Sequence, residues 1–173
     1  MTSVLYAVGS GAAVATDDAW LLVDAPPDAQ LVRDIWARLT GDPDREALLA
    51  ALGEMTDLPS FALVLPAAPG LVVVSGEARI VLEGSEGQSL VESRDPSAWT
   101  EAALPAGTTS VTLLRTGADA VTAARIPALA GVFPASTLEV RWAPAPPPPP
   151  VVPPRPTTAP PVVPPHPTTA PPV

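Results

Sequence analysis

The sequence predicts an α+β domain made mostly of antiparallel sheet, with a two-helix hairpin packed on one face and a disordered proline-rich tail after it. Short β-rich runs separated by turn residues occupy much of residues 1–142. Two neighbouring segments instead repeat their apolar residues at helical spacing. Sixteen of the 26 prolines lie at or after Pro144. We therefore expect one globular domain over 1–142 and a separate tail over 143–173.

Three extended runs come first, and each ends at residues that favour a turn. The third is stopped by two consecutive prolines, which cannot continue a strand ladder. The predicted strands cover 3–8, 12–16 and 19–24, with turns at Gly9-Ser10-Gly11 and Asp17-Asp18 and the stop at Pro26-Pro27.

The clearest helix is expected over 28–39, where Asp28 is placed to cap it and Gly41 to end it. A second helix follows at once, with Pro43 at its first position and Glu46 near its positive end. The short joint between them predicts a helical hairpin. The apolar stripes are Leu31, Val32, Ile35, Trp36 and Leu39 in the first helix, and Leu48, Leu49, Leu52 and Met55 in the second.

After Pro59 the pattern changes to that of strands. In 78–84 the residues Ala78, Ile80 and Leu82 alternate with more polar neighbours, which indicates one buried and one wetter face. The connections 94–108 and 116–136 show no clear period, and 125–133 is expected to be irregular. The predicted strands are 61–65, 71–75, 78–84, 89–93, 109–115 and 137–142, with a turn at Gly84-Ser85-Glu86-Gly87.

The tail contains an eleven-residue unit written twice, VVPPRPTTAPP and VVPPHPTTAPP, from Val151 onward. Proline fixes φ and removes an amide donor, so we expect an extended polyproline II arm of about 3.1 Å per residue. We interpret it as a spacer that leads to something outside this chain. Its PxxP spacings also suit docking on an aromatic groove, and its threonines could accept phosphate.

The net charge of −9 argues against nucleic acid and membrane surfaces as partners, because both are anionic. There is no cysteine and hence no disulfide framework or thiolate metal site. The first twenty residues have neither a basic segment nor an unbroken apolar one, so we expect a cytoplasmic protein rather than a secreted one.

No catalytic residues are predicted, because the region 1–142 has no His, Cys or Lys to act as base or nucleophile. His166 is a lone imidazole in the tail. A mechanism with two carboxylates stays chemically possible, yet no pair is singled out by its spacing. The chain is accordingly predicted to be no enzyme, with no cofactor and no metal.

Two groups of residues admit both a functional and a structural interpretation, and we favour the structural one for each. Acidic residues between 17 and 28 could hold Mg²⁺ or Mn²⁺, but are typical of turns and caps. The tryptophans could form a stacking platform, but more often anchor a core. These residues are Asp17, Asp18, Asp24 and Asp28 in the first group, and Trp20, Trp36, Trp99 and Trp142 in the second.

Four groups of residues within 76–107 form a recognisable pattern: Gly76-Glu77-Ala78, Ser93-Arg94-Asp95, Trp99 and Leu104-Pro105. With this pattern, the run resembles the N-terminal region of actinobacterial proteins that carry a forkhead-associated (FHA) domain, and residues 61–65 and 129–134 are also similar. The resemblance implies a proline-rich linker to a C-terminal phosphothreonine-reading domain, sometimes through a zinc ribbon.

The chain departs from that family where the reader would lie. Phosphothreonine reading there uses Arg, Ser, His and Asn, whereas this chain has no Asn and only His166. A fainter similarity, of residues 74–84, is to the metal-dependent protein phosphatase sandwich. That family's metal-binding stretch has no counterpart after Asp24, where Ala25-Pro26 follows. The similarity therefore implies a degenerate, non-catalytic or weakly metal-binding relative.

The function expected from the sequence is a non-catalytic protein-interaction or scaffolding domain of a modular bacterial signalling protein, tethered by its proline-rich linker. The partner is expected to be another protein. The alternative is the degenerate phosphatase-like domain, acting as a pseudo-enzyme or weak metal binder.

Overall fold

A computed structural model describes residues 2–41, 45–55, 58–95, 98–115, 117–118 and 124–142. Within these ranges the chain forms two helices and ten strands. The tail and its predicted polyproline conformation lie outside the described residues. In chain order the elements are β1 (Thr2–Ala15), β2 (Trp20–Val23), α1 (Gln30–Thr40), α2 (Arg45–Gly53), β3 (Phe61–Leu65), β4 (Leu71–Ser75), β5 (Arg79–Gly84), β6 (Gly87–Glu92), β7 (Trp99–Ala103), β8 (Thr108–Leu114), β9 (Ile126–Ala128) and β10 (Gly131–Trp142).

All pairings between described strands are antiparallel, in the order β6-β5-β8-β10-β1-β2-β3-β4-β7, with β9 beside β1. The predicted α+β class with mostly antiparallel strands is confirmed. That α1 and α2 form a hairpin with each other stays a prediction.

The strands β1 and β10 are long and pair with each other along most of their length. They bend at a bulge in β1. Residues 2–7 of β1 pair with 137–142 of β10, and 11–15 pair with 131–135, with a register shift between Ala7 and Gly11. The predicted turn at Gly9-Ser10-Gly11 is therefore wrong, because the chain bends there without reversing. Glycine within a strand is typical of a bulge as well as of a turn.

The ten strands form one sheet, and we infer from the bend and from a shared buried cluster that its two parts fold over each other as two layers. The outer sheet contains β6, β5, β8, the C-terminal half of β10, the N-terminal half of β1, and β9. The middle sheet contains the other halves of β10 and β1, then β2, β3, β4 and β7. One buried cluster joins the two layers, with Leu22, Val64 and Val72 from the middle sheet and Ile80, Leu113 and Leu138 from the outer sheet.

The other face of the middle sheet shares a second buried cluster with the helices. Leu21, Leu63 and Val73 belong to it, together with buried residues of α1 and α2. The middle sheet is thus covered on both sides, which explains why β2, β3 and β4 are continuous apolar runs instead of alternating ones.

The predicted apolar stripe of α1 is confirmed, with Val32, Ile35 and Leu39 buried. The helix ends at Gly41 as expected, but the proposed cap is wrong. The helix starts later than predicted, so Ala29 is the N-cap residue, and its methyl side chain has no polar atom to make a capping bond. Asp28 instead accepts a hydrogen bond from Arg33 at its backbone carbonyl.

In α2, Leu48 and Leu52 are buried and Glu46 lies in the first turn, as predicted. Pro43 and the joint lie outside the described residues. Within the described ranges, neither helix has the length and apolar character needed to cross a membrane.

The hairpin of β5 and β6 agrees closely with its prediction. Ala78, Ile80 and Leu82 are buried, while Arg79 and Glu83 are exposed. The strands β7, β9 and the first half of β10 were not predicted. Their sequences, WTEAA, IPA and GVFPAS, carry little β propensity or alternation, and they are extended because neighbouring strands pair with them.

Candidate functional site

The acidic residues between 17 and 28 do not converge. Asp17 and Asp18 lie in the turn between β1 and β2, and Asp24 forms an ion pair with Arg115. Among the described residues there is no group of three or more side chains of the types that hold a metal ion. The weakly metal-binding, phosphatase-like alternative stays a prediction.

A polar cluster lies at the β1 bulge. The Arg115 Nε atom lies 3.2 Å from the Asp24 carboxylate, and the Arg115 Nη1 atom donates to the Ser10 hydroxyl. The Arg115 amide donates to the Ser136 carbonyl opposite the bulge at 3.1 Å. These contacts connect the end of β2, the end of β8 and the bulge, so the cluster fixes the bend between the two sheets.

We expect the Asp24–Arg115 pair to couple by about 1 kcal/mol in a double-mutant cycle. The side chains are 36% and 21% exposed, so their attraction is only partly screened. The matched control is Arg79–Glu92, which is separated by 4.0 Å with both side chains more than half exposed. Urea unfolding of the alanine variants measures both couplings, and equal values would contradict a role for the first pair in fixing the bulge.

A second polar group lies on the outer sheet, on the face turned away from the core. Glu139 is only 7% exposed. Its carboxylate accepts a hydrogen bond from Arg141 and lies 3.6 Å from the Arg125 guanidinium. Two guanidinium groups compensate the burial of one carboxylate, so removing either of them would leave the buried charge less well compensated.

Two tryptophans, one from each layer, stack on each other at one end of the sheet. Trp20 of β2 and Trp142 of β10 stack with ring centroids 5.6 Å apart and an interplanar angle of 22°. Trp20 is 3% exposed, which agrees with its prediction as a core anchor. Trp36, Trp99 and Trp142 are only partly buried and pack against the two clusters.

One polar atom at this end is not satisfied. The buried indole Nε1 of Trp20 has no hydrogen-bond partner among the described residues. Leaving a buried donor unpaired costs about 1–3 kcal/mol. Such an atom is therefore a place where a bound acceptor would add stability.

Two grooves flank the tryptophan pair. The β1–β9 groove, of about 680 Å³, is lined by Trp20 and by residues 2–5, 15–17 and 127–130. It includes the exposed carboxylate of Asp17 and the side chain of Leu129, which is 89% exposed. The lining of this open groove thus combines an acidic side chain, an exposed leucine and the tryptophan whose indole nitrogen is unpaired in the described part of the chain.

The proline-lined groove, of about 410 Å³, lies on the Trp142 side. Its lining is Trp142 together with residues 66, 68–70 and 103–108, none of which is charged. Two hydrogen bonds fix its walls: Arg45 Nη1 donates to the Pro69 carbonyl at 2.8 Å, and the Leu104 amide donates to the Gly70 carbonyl at 2.9 Å. The groove is therefore held in shape by the fold itself.

Comparison with protein-family models, curated proteins and solved structures gives no significant match to this chain. The resemblance to the N-terminal region of forkhead-associated domain proteins stays a prediction.

Proposed function

We propose that the chain is a non-catalytic protein-binding domain of a modular cytoplasmic signalling protein, and that it binds an extended segment of its partner in the β1–β9 groove. The observation that carries the proposal is the buried Trp20 Nε1 atom, which has no partner among the described residues although Trp20 lines an open groove. Because the Nε1 atom is buried in the unbound chain, the proposal includes a small shift of the groove floor on binding, after which a backbone carbonyl of the bound segment would accept this hydrogen bond.

Leu129 would make the main apolar contact with the bound segment. A single exposed leucine is common on protein surfaces. Here it lies in the same groove as the unpartnered donor, and Ile126 nearby is 39% exposed. Burying an exposed leucine contributes about 1.5–3 kcal/mol, which suits a central contact of a small interface.

Binding in the groove is favoured over addition of a strand to β9. The strand β9 pairs with β1, and its other edge has no partner among the described strands. Its middle residue is Pro127, which has no amide hydrogen to donate to a new strand. The exposed Asp17 favours a segment with a basic residue.

The charged clusters support a binding role over a catalytic one. The carboxylates of Asp24 and Glu139 are already paired with guanidinium groups.

We also infer that α1 and α2 pack as a hairpin over the middle sheet. Both helices contribute to one buried cluster, and only residues 41–44 separate them.

The test uses the full chain, panned against a displayed library of random peptides. For an enriched peptide, we expect Leu129→Ser to weaken binding about tenfold, as measured by fluorescence anisotropy. The matched control is Leu90→Ser, since Leu90 is 55% exposed but lies on β6, outside this groove.

A second variant, Trp20→Phe, keeps an aromatic ring and removes the N–H donor. It is expected to weaken the same peptide while thermal unfolding shows that the fold persists. Equal effects of Leu129→Ser and Leu90→Ser would exclude the groove. Failure to enrich any peptide would count against the protein-binding function as a whole.

A further inference from the structure

We propose that residues 143–150, APAPPPPP, dock in the proline-lined groove of their own chain, so that the repeat from Val151 onward starts from a fixed direction. This inference concerns a different groove and does not depend on the proposed function. It rests on the chemistry of the groove, on the place where β10 ends, and on the composition of the segment that follows.

The groove and the segment match in chemistry. The groove has an indole wall, apolar or small residues elsewhere, and no charged lining residue. The segment has no charged or polar side chain, and its amide donors are confined to Ala143 and Ala145. Polyproline II segments dock on aromatic-lined grooves at low entropic cost, because proline is already restricted.

Because the segment 143–150 is covalently attached next to the groove, even a low affinity for the groove would give substantial occupancy. Trp142, the last residue of β10, is itself part of the groove wall. Ala143 is bonded directly to this residue of the groove wall, and eight residues in a polyproline II conformation would span about 25 Å at about 3.1 Å per residue. A short tether gives an effective concentration of the order of millimolar, so a site with millimolar affinity would be about half filled.

The proline-lined groove is favoured over the β1–β9 groove for this segment. The β1–β9 groove includes the Asp17 carboxylate, for which the uncharged segment offers no cation. The proline-lined groove requires no polar complement, because the Pro69 and Gly70 carbonyls already accept hydrogen bonds from Arg45 and Leu104.

Paramagnetic broadening in the full chain tests the proposal. The chain has no cysteine, so Val151→Cys gives a single attachment site for a nitroxide. The readout is the ¹H–¹⁵N spectrum, comparing amides of residues 103, 104 and 106–108 with those of residues 3–5 in the other groove. A docked segment is expected to cause loss of the first set while the second set largely remains.

Two further variants sharpen the test. Replacing the five prolines 146–150 by serine in the labelled chain should abolish the one-sided loss. Replacing five prolines of the repeat, at 160, 161, 164, 165 and 167, should leave it unchanged. These changes avoid the folded core, so they test docking without testing folding.

Each remaining outcome would overturn the proposal. Equal broadening in both grooves means that the segment moves freely around Trp142. A one-sided loss that survives the substitution of 146–150 means that another part of the tail is responsible. A one-sided loss that disappears on dilution means that the occupant comes from a second copy of the chain.

Discussion

Replacing Leu63 with alanine is expected to lower the free energy of unfolding by about 2–5 kcal/mol. Leu63 is 1% exposed and lies in the centre of β3, in the cluster shared with the helices. Its strand is covered on both sides, so the atoms around a deleted side chain have little room to collapse into the space.

The matched control for this change is Leu90→Ala. It makes the same chemical change at a side chain that is 55% exposed on β6, and should alter stability by no more than about 0.5 kcal/mol. Urea unfolding followed by tryptophan fluorescence measures both. Similar losses for the two variants would mean that the helices do not cover this face of the middle sheet.

Replacing Gly9 with alanine is expected to destabilise the domain by about 3 kcal/mol, because the bulge leaves no space for a side chain. A Cβ atom at Gly9 would lie 2.4 Å from the Ser136 amide nitrogen and 2.7 Å from the Ala135 carbonyl carbon. Both are backbone atoms of β10, so relief requires the two strands to separate.

Gly41→Ala is the control for this change, since a Cβ there meets only ordinary contacts of 3.5 Å. It should be neutral or slightly stabilising, because alanine restricts the unfolded chain more than glycine does. Hydrogen exchange of β10 amides adds a local readout, and faster exchange is expected only in the Gly9 variant. Equal stability of the two variants would contradict the register of β1 and β10.

The strands that sequence reasoning located best are those with the strongest burial. The runs 61–65 and 71–75 coincide with β3 and β4, because a strand covered on both faces must be apolar throughout. The strand β7 was missed, since Thr100 and Glu101 interrupt any alternation of apolar residues. Its extended conformation is stabilised by pairing with β4 and not by its own low β propensity. The bend at Gly9 could not be distinguished from a turn, because glycine permits both.

The candidate site was predictable only in part. Burial of Trp20 follows from the preference of tryptophan for cores, as predicted. Its stacking on Trp142 depends on two strands far apart in the sequence meeting at one end of the sandwich. That the Trp20 indole nitrogen is unpaired among the described residues, and that Leu129 lines the same groove, likewise depends on how distant segments come together. No local pattern in the sequence carries this information.

The pairing of β1 with β10 on both sides of the bulge affects how the chain folds. Both sheets contain part of each of these strands, so neither is complete before the segment 131–142 arrives. Bringing β10 to β1 closes a loop that contains nearly all of the domain. The entropy lost in closing it is not offset until the contacts between the two strands have formed. During synthesis β1 is made long before β10, so its hydrogen-bonding edge stays unpaired in the meantime. We therefore expect slow folding, and we expect chaperones to protect this edge until β10 has been synthesised.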